Sequence, residues 1–231
     1  MNHKHPLPAA VIFDMDGVLV DSNPFHLSKW AALLREHGIA FEEAKLAEIV
    51  LGPPNEATFQ RYFGELTPER RRELGEELEE RFRQEIAPHA RPFPGVLQLL
   101  DECRSNGVTL AVASCAMRKN VEFIVTALQL SPYFKAALSV NDISHAKPDP
   151  EIYIKTATRL EVKPSDCVVC EDSFVGIEAA KRAGMKCLAI GSTFPVEDLR
   201  RETKADLIVA SLESVSLATL RGLFDGSAPS A

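Results

Sequence analysis

Six short apolar runs punctuate the chain, at residues 9–13, 108–113, 136–140, 167–170, 187–190 and 207–209. Each is continuous rather than alternating, which is the pattern of parallel strands covered on both faces. Helical periodicity separates the later runs, over 94–106 closed by Gly107, then 119–130, 149–160 and 174–182, the last with Ser173 as its N-cap. Strand and helix in alternation predict βαβ units and a doubly wound, Rossmann-like parallel sheet of the α/β class.

The first strand breaks this rhythm. Between Phe13 and Pro94 the pattern is helical throughout. Leu27, Trp30, Ala31 and Leu34 form one stripe, closed by Gly38. Thr67 and Pro68 read as a cap and a first-turn proline. They open a heavily charged helix over 69–86 whose apolar stripe is Leu74, Leu78, Phe82 and Ile86. Glu77 with Arg81 and Glu79 with Arg83 have the spacing of helical ion pairs, and the charge run reads as a solvated face. Pro88, Pro92 and Pro94 mark the return to the sheet. The expected organisation is an α/β core over 1–22 and 92–231, an all-helical insertion over 23–91 and a mobile tail at 226–231.

Composition narrows the class. With 231 residues, 45% hydrophobic and 26% charged, the chain is not disordered as a whole. No apolar run reaches the ~18–20 residues that span a bilayer. Residues 1–6 lack the apolar core of a signal peptide, so the expected location is cytoplasmic. A net charge of −7 argues against nucleic acid as a partner, because that binding rests on Lys and Arg neutralising phosphates. The five cysteines are an odd number in a long chain, and reduced thiols are expected. Cys167 and Cys170 are spaced as a metal half-motif, yet residues three apart on a strand face opposite ways.

Ligands of open parallel sheets bind beyond the carboxyl ends of the strands. There the sequence places Asp14-Met15-Asp16-Gly17 after the first run, Ser114 after the second, Lys147 in the loop after the third and Glu171-Asp172-Ser173 after the fourth. Clustered carboxylates repel one another and any phosphate, so they call for a divalent cation. An all-oxygen set without His or Cys favours Mg²⁺. An aspartate can attack phosphorus, and a second carboxyl two residues on can move the protons. Gly17 permits a sharp turn beside the ligand. Lys147 and Ser114 suit phosphate oxygens. The remaining histidines (His3, His5, His37, His89 and His145) give no ligand pattern.

Residues 11–22, Ser114, Lys147-Pro148-Asp149-Pro150 and 171–177 resemble, in order and spacing, the four motifs of the haloacid dehalogenase-like hydrolases. The resemblance implies Asp14 as nucleophile and Asp16 as general acid/base. It implies Mg²⁺ held by Asp14, the Asp16 carbonyl and Asp172, with Glu171 nearby or through water, and Ser114 and Lys147 on the transferring phosphoryl group. Asp16 argues against a true dehalogenase. The helical insertion corresponds to the family's cap, which closes over substrate. Within the family the chain is most similar to the β-phosphoglucomutase-like sugar phosphatases, which implies a monomer acting on a small phosphate ester.

His26 and Trp30 fall where that group has a cap histidine and tryptophan. Gly17, Cys115, His26 and Asn55 are the candidate substrate-binding positions. His26 also reads as packing on Trp30, Asn55 as a helix cap, and Cys115 as small packing beside Ser114. The mutase has a phosphate-gripping arginine three residues after a glycine. Here Gly52-Pro53-Pro54-Asn55 puts a neutral residue in that place. The expected activity is therefore Mg²⁺-dependent phosphatase, through an aspartyl-phosphate on Asp14, with a β-phosphoglucomutase-type phosphomutase as the alternative.

Overall fold

The computed structural model describes residues 7–51 and 55–225. The tail at 226–231, the first six residues and the segment Gly52-Pro53-Pro54 discussed above lie outside the described residues. The chain divides into two compact units, Ser22–Ala90 and the remainder on either side of it.

The larger unit carries a six-stranded, all-parallel sheet. Its strands are β1 (Ala10–Phe13), β2 (Thr109–Ala113), β3 (Ala136–Leu138), β4 (Cys167–Glu171), β5 (Lys186–Ile190) and β6 (Leu207–Val209). They stand in the order β3-β2-β1-β4-β5-β6. Its helices are α5 (Val96–Ser105), α6 (Arg118–Ala127), α7 (Glu151–Leu160), α8 (Phe174–Arg182), α9 (Val196–Glu202) and α10 (Leu217–Asp225). Strand neighbours run away from β1 in both directions, so the strand order reverses between β1 and β4. That switch point is where a doubly wound sheet opens a crevice.

The continuous apolar runs fit this burial except in the edge strand β3, where Ala137 is exposed. Ala10, Ile12, Ala111, Ala113, Cys167, Val169, Cys187 and Ala189 face one side and share a core with Ile152, Tyr153 and Ala157 of α7 and Ile177, Ala179 and Ala180 of α8. The intervening residues Val11, Phe13, Val112, Val168 and Leu188 are buried as well. Cys167 and Cys170 are both buried in β4 as free thiols, three positions apart and so on opposite faces.

Element ends shift from the expected positions for local reasons. β3 stops at Leu138, because Ser139 and Asp142 form a capping box that starts a 3₁₀ turn. Helix α7 starts at Glu151, whose N–H is taken by Asp149 Oδ1 at 2.9 Å. Helix α6 ends early, and Gln129 beyond it has φ of 59°. Ser173 does cap α8, its hydroxyl accepting the Gly176 N–H at 3.1 Å.

The smaller unit is helical: α1 (Asn23–Glu36), α2 (Glu43–Val50), α3 (Asn55–Phe63) and α4 (Pro68–Ile86). Trp30, Leu33 and Leu34 of α1 pack with Leu46, Val50, Phe59, Leu74 and Leu78. Thr67 caps α4 through the Arg70 N–H, with Pro68 in its first turn. Glu77 pairs with Arg81 at 2.6 Å. Glu79 departs from the solvated face expected of it. It is 3% exposed and accepts from the fully buried Lys29 at 2.8 Å and from Asn55 Nδ2 at 2.5 Å. The physical reason is its position one residue after Leu78 and three before Phe82, on the buried edge of the stripe.

Candidate active site

The carboxyl ends of β1, β2 and β4 converge because the register aligns them. Phe13 pairs with Val112 on one side and Cys170 on the other. Asp14 extends the ladder, its N–H donating to the Cys170 carbonyl at 3.0 Å. Ser114 does the same from β2, donating to the Leu138 carbonyl at 3.1 Å. Asp14, Ser114, Glu171 and Asp172 are all buried at this rim.

Lys147 ties the rim together. Its ammonium donates to Asp14 Oδ1 at 2.6 Å, to Glu171 Oε1 at 2.7 Å and to the Ala113 carbonyl at 3.3 Å. All three N–H groups of the ammonium thus have an acceptor. Glu171 Oε1 also accepts the Tyr153 hydroxyl at 3.0 Å. Glu171 Oε2 takes the Asp172 and Ser173 N–H groups, each at 2.8 Å, and the Ser173 hydroxyl at 2.9 Å.

Burial pushes the Asp14 carboxyl up to about 7, with Glu171 and Asp16 adding to the effect and Lys147 opposing it. Burial also drives the Asp172 carboxyl well up, helped by Glu171 and Asp14. Glu171 goes the other way: burial would raise it, but Lys147 and the Ser173 donors together hold it below its usual value. Lys147 stays charged, because Asp14 and Glu171 outweigh its desolvation. Three buried carboxyl groups share one buried ammonium, too little positive charge to keep all of them ionised, which is why Asp14 and Asp172 are pushed up; this donor set fits a divalent cation.

Two glycines make the approach close. Gly17 has φ of 74°, and a Cβ on it would fall 1.9 Å from Asp172 Oδ2. A Cβ on Gly176 would fall 1.7 Å from Glu171 Oε1. Asp16 lies in the turn that brings Gly17 round, half-buried and bridged to Val20. Ser114 Oγ accepts the Ala116 N–H at 3.0 Å and keeps its O–H as a donor. Cys115 is half-buried beside it, and burial pushes its thiol up against the pull of Lys147, so it is not a ready thiolate.

Three residues at this rim escaped the sequence reading. Thr193 donates its hydroxyl to Asp172 Oδ2, and Ser192 donates to the Gly17 carbonyl. Both follow β5, so asking which polar residues follow the fifth apolar run would have found them. Tyr153 carried no such signal, since its position in α7 is that of a core residue. His145 also gains neighbours: its ligand atoms and those of Asp149 and Glu151 lie within 4.8 Å of one another. Glu151 there accepts the Ser144 and His145 N–H groups and Asp149 accepts that of Glu151, which makes the group a helix start.

His26 and Asn55 belong to the helical unit. His26 stacks on Phe82, ring centroids 4.3 Å apart. Asn55 is the first residue of α3, and both of its polar side-chain atoms are engaged, Oδ1 by Trp30 Nε1 at 3.3 Å and Nδ2 by Glu79.

The family model of the haloacid dehalogenase-like hydrolases matches residues 11–190. Among curated proteins, the chain is 30% identical to validoxylamine A 7′-phosphate phosphatase of Streptomyces hygroscopicus subsp. limoneus, over 88% of this chain and 94% of that one. It is 28% identical to the β-phosphoglucomutase of Bacillus subtilis, over 91% and 93%. Among solved structures, the β-phosphoglucomutase of Clostridium difficile superposes with a TM-score of 0.84 at 25% identity, covering 94% of this chain and 97% of that one.

Proposed function

The chain belongs to the haloacid dehalogenase-like hydrolases, and on that footing we propose that it is a Mg²⁺-dependent phosphatase that hydrolyses a small phosphorylated metabolite, a sugar phosphate by class, through an aspartyl-phosphate on Asp14. The observation that carries this reading is the buried Lys147 bridging Asp14 and Glu171 at the switch point of the sheet. An ammonium fixed there balances a nucleophilic carboxylate and gives a phosphoryl oxygen a cationic neighbour.

Asp14 attacks phosphorus, the P–O bond to the sugar breaks, and Asp16 gives its proton to the leaving oxygen. Water then attacks the phosphorus of the acyl phosphate. Asp16 takes a proton from that water, and Asp14 is released with inorganic phosphate. Lys147, giving up its long 3.3 Å bond to the Ala113 carbonyl, and the Ser114 hydroxyl hold phosphoryl oxygens throughout. Asp14, the Asp16 carbonyl and Asp172 would hold Mg²⁺, with Glu171 behind them. When bound, the cation supplies the positive charge that lets a phosphate dianion approach three carboxylates. Residues 23–91 correspond to the family's cap, the part to which substrate selection is assigned in this reading.

Similarity to β-phosphoglucomutases favours phosphomutase as the second reading. A mutase must grip two phosphates in turn. Asn55 is neutral and bonded to Trp30 and Glu79, and Lys29 is salt-bridged to Glu79, so this cluster does not form that grip. The deciding experiment measures phosphate release from a panel of sugar phosphates with Mg²⁺ and with EDTA, for the parent and Asp14→Asn. A hexose 1-phosphate with its bisphosphate is followed in parallel for isomerisation. Mg²⁺-dependent release that Asp14→Asn abolishes supports the phosphatase. Isomerisation with little release replaces it by the mutase.

A further inference from the structure

Tyr153 is fully buried in α7, and its hydroxyl is the one polar atom of that helix that reaches the rim of carboxylates described above. A phenol hydroxyl buried among apolar groups costs free energy unless it is bonded, and phenylalanine would fill the same core space without that cost. The hydroxyl has a partner: it donates to Glu171 Oε1 at 3.0 Å. The same oxygen accepts from Lys147 Nζ at 2.7 Å. The ring also lies beneath the ammonium, with Nζ 5.0 Å from its centroid. One side chain therefore touches Lys147 through its face and Glu171 through its hydroxyl.

We propose that Tyr153 is a positioning residue for phosphoryl transfer, acting through Glu171 to hold the Lys147 ammonium against Asp14. Lysine is a flexible, four-carbon stem ending in a point charge, and it does not fix its own direction. Glu171 fixes it here, and Glu171 is itself fixed from two sides. The main chain and hydroxyl at 172–173 hold Oε2, and Tyr153 holds Oε1. Without the phenol hydroxyl, Lys147 becomes the sole side-chain donor on Oε1 that is seen here, and the carboxylate can turn. The ammonium then spends part of its time away from Asp14 Oδ1. The phenol is the donor of this pair, because a carboxylate oxygen only accepts.

This inference rests on the phosphatase reading for its kinetic effect, but not for the coupling between the two side chains. The test uses the full-length protein as Tyr153→Phe, Glu171→Gln and the double variant. Turnover of the best sugar phosphate is measured at saturating Mg²⁺, thermal unfolding in EDTA, and Mg²⁺ binding by calorimetry. Tyr153→Phe is expected to lower kcat at least about tenfold, the lower end for losing a hydrogen bond to a charged group, with KM unchanged within about twofold. Its melting temperature should move far less than a core truncation would. In the Glu171→Gln background the same substitution should add little to the kcat loss, and the unfolding temperatures in EDTA should be non-additive.

A kcat unchanged in Tyr153→Phe overturns the proposal. So does an equal loss in both backgrounds, or a loss that higher Mg²⁺ restores, which would assign the hydroxyl to metal binding. If the parent releases no phosphate, the phosphatase reading fails. Additive unfolding temperatures in EDTA would then sink the Tyr153–Glu171 coupling by itself.

Discussion

The Lys147 ammonium stands 2.6 Å from the Asp14 carboxylate, although 133 residues of chain separate the two. The pair is buried on both sides, 5% and 10% exposed in their side chains, so its energetics are those of charges out of water. Lys147→Ala leaves Asp14, Glu171 and Asp172 facing one another without a cation. Unfolding in urea with EDTA present should show a loss of about 3 kcal/mol or more, and kcat should fall by at least ~100-fold. A variant as stable and active as the parent would show that Lys147 does not balance the site.

Thr193 bonds Asp172 Oδ2 from the loop after β5. Partners of this kind orient a metal-binding carboxylate without touching the metal. Thr193→Val keeps the shape and removes the donor. Calorimetric titration should show Mg²⁺ affinity about tenfold weaker, with kcat at saturating Mg²⁺ close to that of the parent. An unaltered titration would mean that Asp172 is held without Thr193.

In the helical unit, Lys29 and Glu79 are buried and 2.8 Å apart. Removing Lys29 leaves the buried Glu79 charge with a neutral Asn55 donor in place of its ion pair. Lys29→Met should lower the unfolding free energy by about 3 kcal/mol, and Lys29→Met with Glu79→Leu should recover most of it. Equal stability of the single and double variants would contradict a mutually dependent pair.

Asp206 joins β5 to the start of β6, accepting from Lys181, from Lys186 at 3.1 Å and from the Cys187 N–H at 2.8 Å. Burial alone would raise its carboxyl, but these donors together hold it below the usual value. A depressed carboxyl contributes stability that is full above the unfolded value, about pH 4, and is lost as pH falls through the lower folded value. Urea midpoints from roughly pH 6 to pH 3 should therefore fall less for Asp206→Asn than for the parent. Parallel curves would remove Asp206 from the acid response.

Much of the architecture was legible along the chain. Continuous apolar runs marked the parallel strands, because a strand buried on both faces cannot alternate. Ser173 and Thr67 marked helix starts, because capping is a local contact. Glu79 was misread for the opposite reason. The acidic and basic residues over 69–86 look like a solvated face in sequence, and only helix α1, with Lys29 on it, shows that one of them is buried.

The sequence by itself determined the sheet, the helical segment inserted after its first strand and the polar residues that follow the first, second and fourth strands. These follow from periodicity and from local rules about where a chain can turn. The tertiary structure alone decided how those residues divide the work at the rim. Lys147 takes both Asp14 and Glu171 because β1 and β4 are neighbours in the sheet. Tyr153 and Thr193 enter because α7 and the loop after β5 pack beside them. Hydrogen bonds between residues distant in sequence depend on strand order and register, and no local pattern encodes either.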